Sequence, residues 1–107
     1  MKGSVETAAE ILKALAQPTR LRILEALKDR ELCVCEIVPL VSGEQSNISR
    51  HIALLEKYGL VSTRREGVRV LVKASPLAYA IVEKAFEVLK KLVGEQKKRL
   101  EEIEGRL

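Results

Sequence analysis

Residues 45–61 read QSNISRHIALLEKYGLV, and how they are read decides the fold. Ile48, Ile52 and Leu55 recur at the spacing of one helix face. Tyr58-Gly59 ends that helix, because glycine accepts the left-handed conformation of a C-cap. Taking Ile48 as the centre of the buried face and turning about 100° per residue, Ser46, Arg50 and Lys57 point away from it. Asn47 and Ser49 lie to the two sides, and Gln45 and His51 border the buried stripe near the helix start. Glutamine and asparagine pair with adenine, and arginine with guanine, in the major groove. The second helix of a helix-turn-helix reads bases with its first turns. Gln45, Ser46, Asn47, Ser49, Arg50 and His51 are therefore the candidate DNA-facing set. The bland alternative for each is an ordinary solvated side chain.

The flanks extend this reading. Ser42-Gly43-Glu44-Gln45 breaks the pattern before the helix, and Ser42 with Gln45 three residues on has the form of a capping box. Two β-branched runs follow, 60–65 and 68–73, separated by Glu66-Gly67, and read as a hairpin. Arg64, Arg65 and Arg69 gather at its tip, where contact with phosphate or the minor groove would add affinity and position. Charge that keeps an edge strand soluble is the alternative, and both roles can coexist.

Upstream, residues 5–15 carry a helical apolar stripe, and Pro18 suits the first position of the next helix. Leu21, Ile23, Leu24 and Leu27 give that second helix a buried face. Residues 33–41 form a third apolar segment, kept short or bent by Pro39. Downstream, Ser75-Pro76 reads as N-cap and first residue of a last helix over about 76–104 with a charged end. The order of helix, helix, helix, helix, hairpin, helix predicts a mainly α winged helix-turn-helix with a β-hairpin wing, one domain over residues 1–107.

Composition agrees with a globular chain of modest size, and a thin core of this kind gains from a dimer. The net charge is +4. Residues 42–75 carry six basic against three acidic groups, and hold most of the excess. That is the local footprint a polyanion would use. One asparagine and three glutamines amid many charges lean towards a thermophilic source. No apolar run approaches a membrane span, and MKGSVETAAEIL has no uninterrupted hydrophobic region of a signal peptide. A cytoplasmic protein with reduced thiols and no membrane partner is expected. Nothing suggests an enzyme: no nucleophile beside a base, no evident carboxylate pair and no phosphate loop.

Four stretches, AQPTRLRILEAL, ELCVCEI, QSNISRHIALLEKYGLV and RREGVRV, together resemble the ArsR/SmtB family of metal-responsive repressors over roughly residues 8–92. ELCVCEI looks like its arsenic-responsive branch. The resemblance implies a homodimer that sits on its own promoter and leaves when a metal or metalloid binds. Apolar stripes on the first and last helices are more than one small domain easily buries. The resemblance implies that Leu12, Leu15, Ile81, Ala85, Val88, Leu89 and Leu92 form the dimer interface. A twofold pair of recognition helices demands an inverted-repeat operator of double-stranded DNA, with half-sites about 34 Å or a multiple apart. Three positions depart from the family pattern. Gln17 stands where an aspartate or serine often caps the second helix. Glu44 stands where serine or threonine often opens the reading helix, which leaves Ser42 to cap it. Val38 stands where a third cysteine is often found.

Cys33 and Cys35 are the only two cysteines. Thiolates suit soft metal and metalloid ions, and a helix N-terminus lowers a thiol pKa. In a regular helix, however, two residues span about 200° of rotation, which puts the sulfurs on opposite sides. Either the first turn is not helical, or ligation must unwind it and so distort the helix beneath the reading helix. Three readings stay open: ligands for As(III) or Sb(III) as inducer, with no resident cofactor; buried core residues; or a redox pair. For the last, a bond to the partner subunit is expected ahead of a strained one within the chain. A structural zinc site wants four ligands, and residues 76–107 hold no histidine for a site between C-terminal helices. The corresponding functions are an arsenite- or antimonite-released repressor, a DNA-binding regulator that answers to redox or to no metal, and a winged-helix adaptor for protein contacts.

Overall fold

A computed structural model describes residues 3–105. Its elements run α1 (Ser4–Leu15), α2 (Pro18–Ala26), β1 (Leu32–Cys33), α3 (Val34–Val41), α4 (Gln45–Lys57), β2 (Val61–Glu66), β3 (Arg69–Ala74) and α5 (Pro76–Gly105). The three strands form one antiparallel sheet in the order β1-β3-β2. This is the mainly helical winged helix-turn-helix that the sequence predicts, with α3 and α4 as the helix pair and β2–β3 as the wing.

Local chemistry explains the boundaries. Gln17 caps α2 despite being an uncommon N-cap: its Oε1 accepts the Arg20 backbone N–H at 2.8 Å. Ser75 opens α5 ahead of Pro76, its Oγ accepting the Leu77 N–H at 3.3 Å. α4 closes as expected with Gly59 at φ +70°. The Leu60 N–H donates to the Leu55 carbonyl and the Gly59 N–H to that of Glu56, the paired bonds of a Schellman motif. Buried Leu55 and Leu60 supply its apolar contact.

Two expectations are corrected, and one open alternative is resolved. Ser42 does not cap α4. It ends α3 in the left-handed conformation, φ 54° and ψ 45°, and Glu44 occupies the α4 N-cap with no side-chain bond. A residue that closes one helix is not extended as the next N-cap requires. The hairpin turn is Gly67-Val68, one residue later than Glu66-Gly67, because Glu66 pairs with Arg69. Gly67 takes φ +62° and Val68 does not have a positive φ, which fits a type II′ turn. Lastly, Cys33 lies outside the third helix: it belongs to β1, which two residues of pairing with β3 hold extended. Pro39 offers no N–H to the Cys35 carbonyl, and α3 is only eight residues long.

One core cluster joins α1, α2, α3, α4, the sheet and the start of α5. Ile23, Leu24, Leu27, Ile37, Ile48, Leu55 and Val72 are fully enclosed. Each such side chain contributes roughly 1.5–3 kcal/mol on burial. Ile48 and Leu55 come from the inner face of α4 and Ile37 from α3, so this core sets the position of α4. No helix among the described residues is long and apolar enough to cross a membrane.

Candidate DNA-binding face and thiol pair

α4 turns Ile48, Ile52 and Leu55 inward and leaves Gln45, Ser46, Asn47, Ser49 and Arg50 exposed. These five candidates share the open side of one helix. His51 differs. It is half-buried, and its Nδ1 faces the Arg20 guanidinium at 3.2 Å. Arg20 also donates from Nη2 to the Lys13 carbonyl at 3.1 Å and from Nε to the Ala14 carbonyl, so it ties the end of α1 to α4. Burial, then the positive charge of Arg20, holds the His51 pKa below its ordinary value. Below about pH 6.5 an unfolded histidine takes up a proton that the folded one resists, so this contribution to stability is present above that pH and is lost as pH falls through the lowered folded value. Urea midpoints at about pH 7.5 and about pH 5.5 are expected to show the acid loss, and His51→Gln to reduce it; equal acid losses in both proteins refute the assignment.

The wing presents its arginines in two ways. Arg65 has no protein partner among the described residues and shares a strand face with Thr63, whose hydroxyl donates to Glu56 of α4 at 2.5 Å. Arg64 is held by Glu31 at 2.6 Å and Glu66 at 3.1 Å. The Arg64 hydrogen bond lowers the Glu31 pKa, and Glu31 in turn raises that of Arg64. Arg69 is held by Glu36 at 2.9 Å. These pairs are largely exposed, so they orient side chains more than they stabilise the fold.

In the sequence the thiol pair lies between Glu31 and Glu36. Cys33 is extended, φ −67° and ψ 148°, and caps α3, its Sγ accepting the Cys35 backbone N–H at 3.1 Å. The Glu36 carboxylate closes the capping box by accepting the Cys33 N–H at 2.9 Å. Because Cys33 is not helical, the sulfurs do not lie on opposite sides. They meet, joined as a disulfide within the chain, with the Cα atoms 5.1 Å apart. That corrects the expectation of a bond to the partner subunit. Cys33 is buried and Cys35 exposed, so the pair reaches from core to surface. It edges a cleft of about 440 Å³ whose other walls include Gln45 and Ser49 of α4 and Thr63 and Val70 of the wing. Among the described residues no group of three or more His, Cys, Asp or Glu side chains is disposed to hold a metal ion.

A second, apolar groove of about 310 Å³ runs between α1 and α5. Leu12, Ile81, Ala85, Val88, Leu89 and Leu92 are exposed along this side of the protomer. Leu15 is buried and forms part of the groove floor. Phe86, Val93, Leu100 and Ile103 are also exposed on α5 and were not among the sequence candidates. With Leu89 they repeat at intervals of three, four and seven, a signal the sequence did carry. The pairings of Arg20 with His51, Glu31 with Arg64 and Glu36 with Arg69 carried none, because the two members lie 31 to 33 residues apart.

Comparison with known proteins agrees with this geometry. The family model described as bacterial regulatory protein, arsR family, matches residues 17–63, from α2 into the wing. An uncharacterized HTH-type transcriptional regulator of Mycobacterium tuberculosis, Rv0081, is 34% identical over 97 residues, which is 89% of this chain and 85% of that protein. Its crystal structure superposes with a TM-score of 0.80 at 32% identity, covering 90% of this chain and 98% of that one. The arsenical resistance operon repressor of Escherichia coli is 41% identical over 68 residues, 63% of this chain and 58% of the repressor. A homodimeric winged helix-turn-helix DNA-binding domain from Mycobacterium bovis superposes with a TM-score of 0.65 at 29% identity, covering 86% and 82% of the two chains. Fold, matched segment and a relative aligned along most of its length agree, and the chain belongs to the arsR family of bacterial regulatory proteins, transcriptional regulators rather than enzymes.

Proposed function

We propose that the protein is a cytoplasmic homodimeric repressor that occupies an inverted-repeat operator in its own promoter and leaves it when arsenite or antimonite binds Cys33 and Cys35. One observation carries this reading: the two sulfurs converge at a cleft walled by Gln45 and Ser49 of the reading helix and by the wing. In the reduced form each thiol displaces one hydroxide from trivalent arsenic. Two As–S bonds form, two waters leave, and the arsenic stays trivalent. With Val38 where a third cysteine is often found, the third place on the metalloid keeps a hydroxide or takes a small solution thiol.

Ligation is coupled to DNA through shared contacts. Glu36 serves the Cys33 N–H and Arg69 at once. Drawing Cys33 and Cys35 around an ion disturbs that cap, and with it the wing and the start of α3 beneath α4. A ligand that favours such a conformation weakens operator binding by linkage.

Dimerisation through α1 and α5, with α5 over about 76–104 as the dimerisation helix, rests on the exposed apolar side of a 30-residue helix. Open to water this face has no stabilising partner; a second copy supplies one. The Mycobacterium bovis neighbour is described as homodimeric. Two recognition helices then meet two half-sites.

The test is fluorescence anisotropy of the reduced protein on its promoter fragment, with and without arsenite, for wild type and Cys33→Ser. Salt dependence tests the DNA reading itself. Replacing Arg65 by Gln is expected to flatten the log–log salt slope by about one unit, the share of one phosphate contact; an unchanged slope removes Arg65 from the interface. A flat slope in the wild type would favour the protein-adaptor reading.

A second reading is favoured by the disulfide itself. Hydrogen peroxide accepts two electrons and two protons from the thiol pair, giving the disulfide and two waters. Peroxide in place of arsenite, in the same assay, separates this signal from the first.

A further inference from the structure

We infer that Arg20 is a positioning residue that holds His51 in its neutral Nε2–H form, so that the reading helix offers the operator a fixed hydrogen-bond donor at this position. The inference rests on α4 being the DNA-reading helix, and deepens it by naming the polarity of one contact.

Arg20 Nη1 lies 3.2 Å from His51 Nδ1. A guanidinium has donors only and stays charged. A nitrogen that faces it at this distance must accept, so Nδ1 carries no proton. In neutral imidazole the proton is then on Nε2. The guanidinium is itself fixed, since it also donates to the Lys13 and Ala14 carbonyls at the end of α1. It cannot swing away without releasing those bonds. The lowered His51 pKa agrees, because burial and then the positive charge of Arg20 both disfavour the imidazolium.

Nε2 has no protein partner among the described residues, and none of their buried side-chain nitrogens or oxygens lacks one. Nε2 therefore opens to solvent. It does so from the turn of α4 that follows Asn47. A donor there is complementary to acceptors on the operator: a purine N7, guanine O6, thymine O4 or a phosphate oxygen. It is not complementary to the amino groups of adenine or cytosine. Arg20 thereby shapes operator choice without touching DNA.

His51 is the only histidine in the chain, so its ring signals need no assignment. Long-range ¹H–¹⁵N NMR on the full reduced chain at about pH 7.5 reads the tautomer directly. The expected wild-type result is a protonated Nε2 and an unprotonated Nδ1, with Arg20→Lys weakening that bias. A wild-type ring protonated mainly on Nδ1, or an even mixture, overturns the inference. Operator binding is the second arm and leaves Arg20 intact. His51→Gln puts an amide N–H near the place of Nε2–H, whereas His51→Asn puts one near Nδ1. His51→Gln is expected within about threefold of wild type and His51→Asn about tenfold weaker, the usual scale of one hydrogen bond. Equal affinities, or the reverse order, refute the donor role. A wild type that binds no DNA would remove the DNA reading instead, and the NMR result alone would then decide the tautomer.

Discussion

Arsenite added to the reduced wild-type dimer on its operator is expected to lower affinity by roughly 5–150-fold, the range of ordinary allosteric coupling. Cys33→Ser is expected to change by less than about twofold. Serine is the informative replacement because Cys33 is an N-cap whose Sγ accepts the Cys35 N–H. Serine is among the preferred N-caps, so the variant keeps the start of α3 and loses only the soft ligand. Cys33→Ala would remove the cap as well, at about 1 kcal/mol, and confuse the two effects. Cys35→Ser, at an exposed position, is the independent partner experiment. Oxidising the pair before adding arsenite is expected to abolish the response too, since a disulfide has no thiol to offer. Tight operator binding by a reduced wild type that ignores both arsenite and antimonite would sink the metalloid reading. Release by peroxide alone would leave the redox reading in its place.

The second large effect separates the two sides of α4. Ile48→Ala is expected to cost about 2–5 kcal/mol of stability, read from urea unfolding. Ile48 has no exposure at all and sits in the core that fixes the angle of the reading helix. Asn47→Ala, one residue earlier and exposed, is expected to stay within about 0.5 kcal/mol of wild type in the same measurement. Its loss is expected in operator affinity, by about 1–3 kcal/mol if Asn47 reads an adenine. A large stability loss in Asn47→Ala, or unchanged operator binding, would remove Asn47 from the reading set. An Ile48→Ala protein as stable as wild type would contradict the packing of the core.

Much of this protein is local, and local features are legible in one dimension. The 0-4-7 repeat of Ile48, Ile52 and Leu55 defines an inner and an outer helix face. Pro18, Gly59 and Pro76 mark helix ends because their backbone limits are their own. The exposure of Gln45, Ser46, Asn47, Ser49 and Arg50 follows from that same period. Tertiary structure alone decided the rest. Two residues of strand pairing hold Cys33 extended, and this brings together sulfurs that a continuous helix would have separated. Ser42 closes α3 instead of opening α4, because the path between the helices needs a left-handed residue there. Arg64 and Arg69 look free in the sequence but are held by Glu31 and Glu36 across 33 positions. His51 faces Arg20 across 31. Periodicity says which side of an element turns inward. Which charged group waits there depends on how distant segments pack, and that is set by the whole core at once.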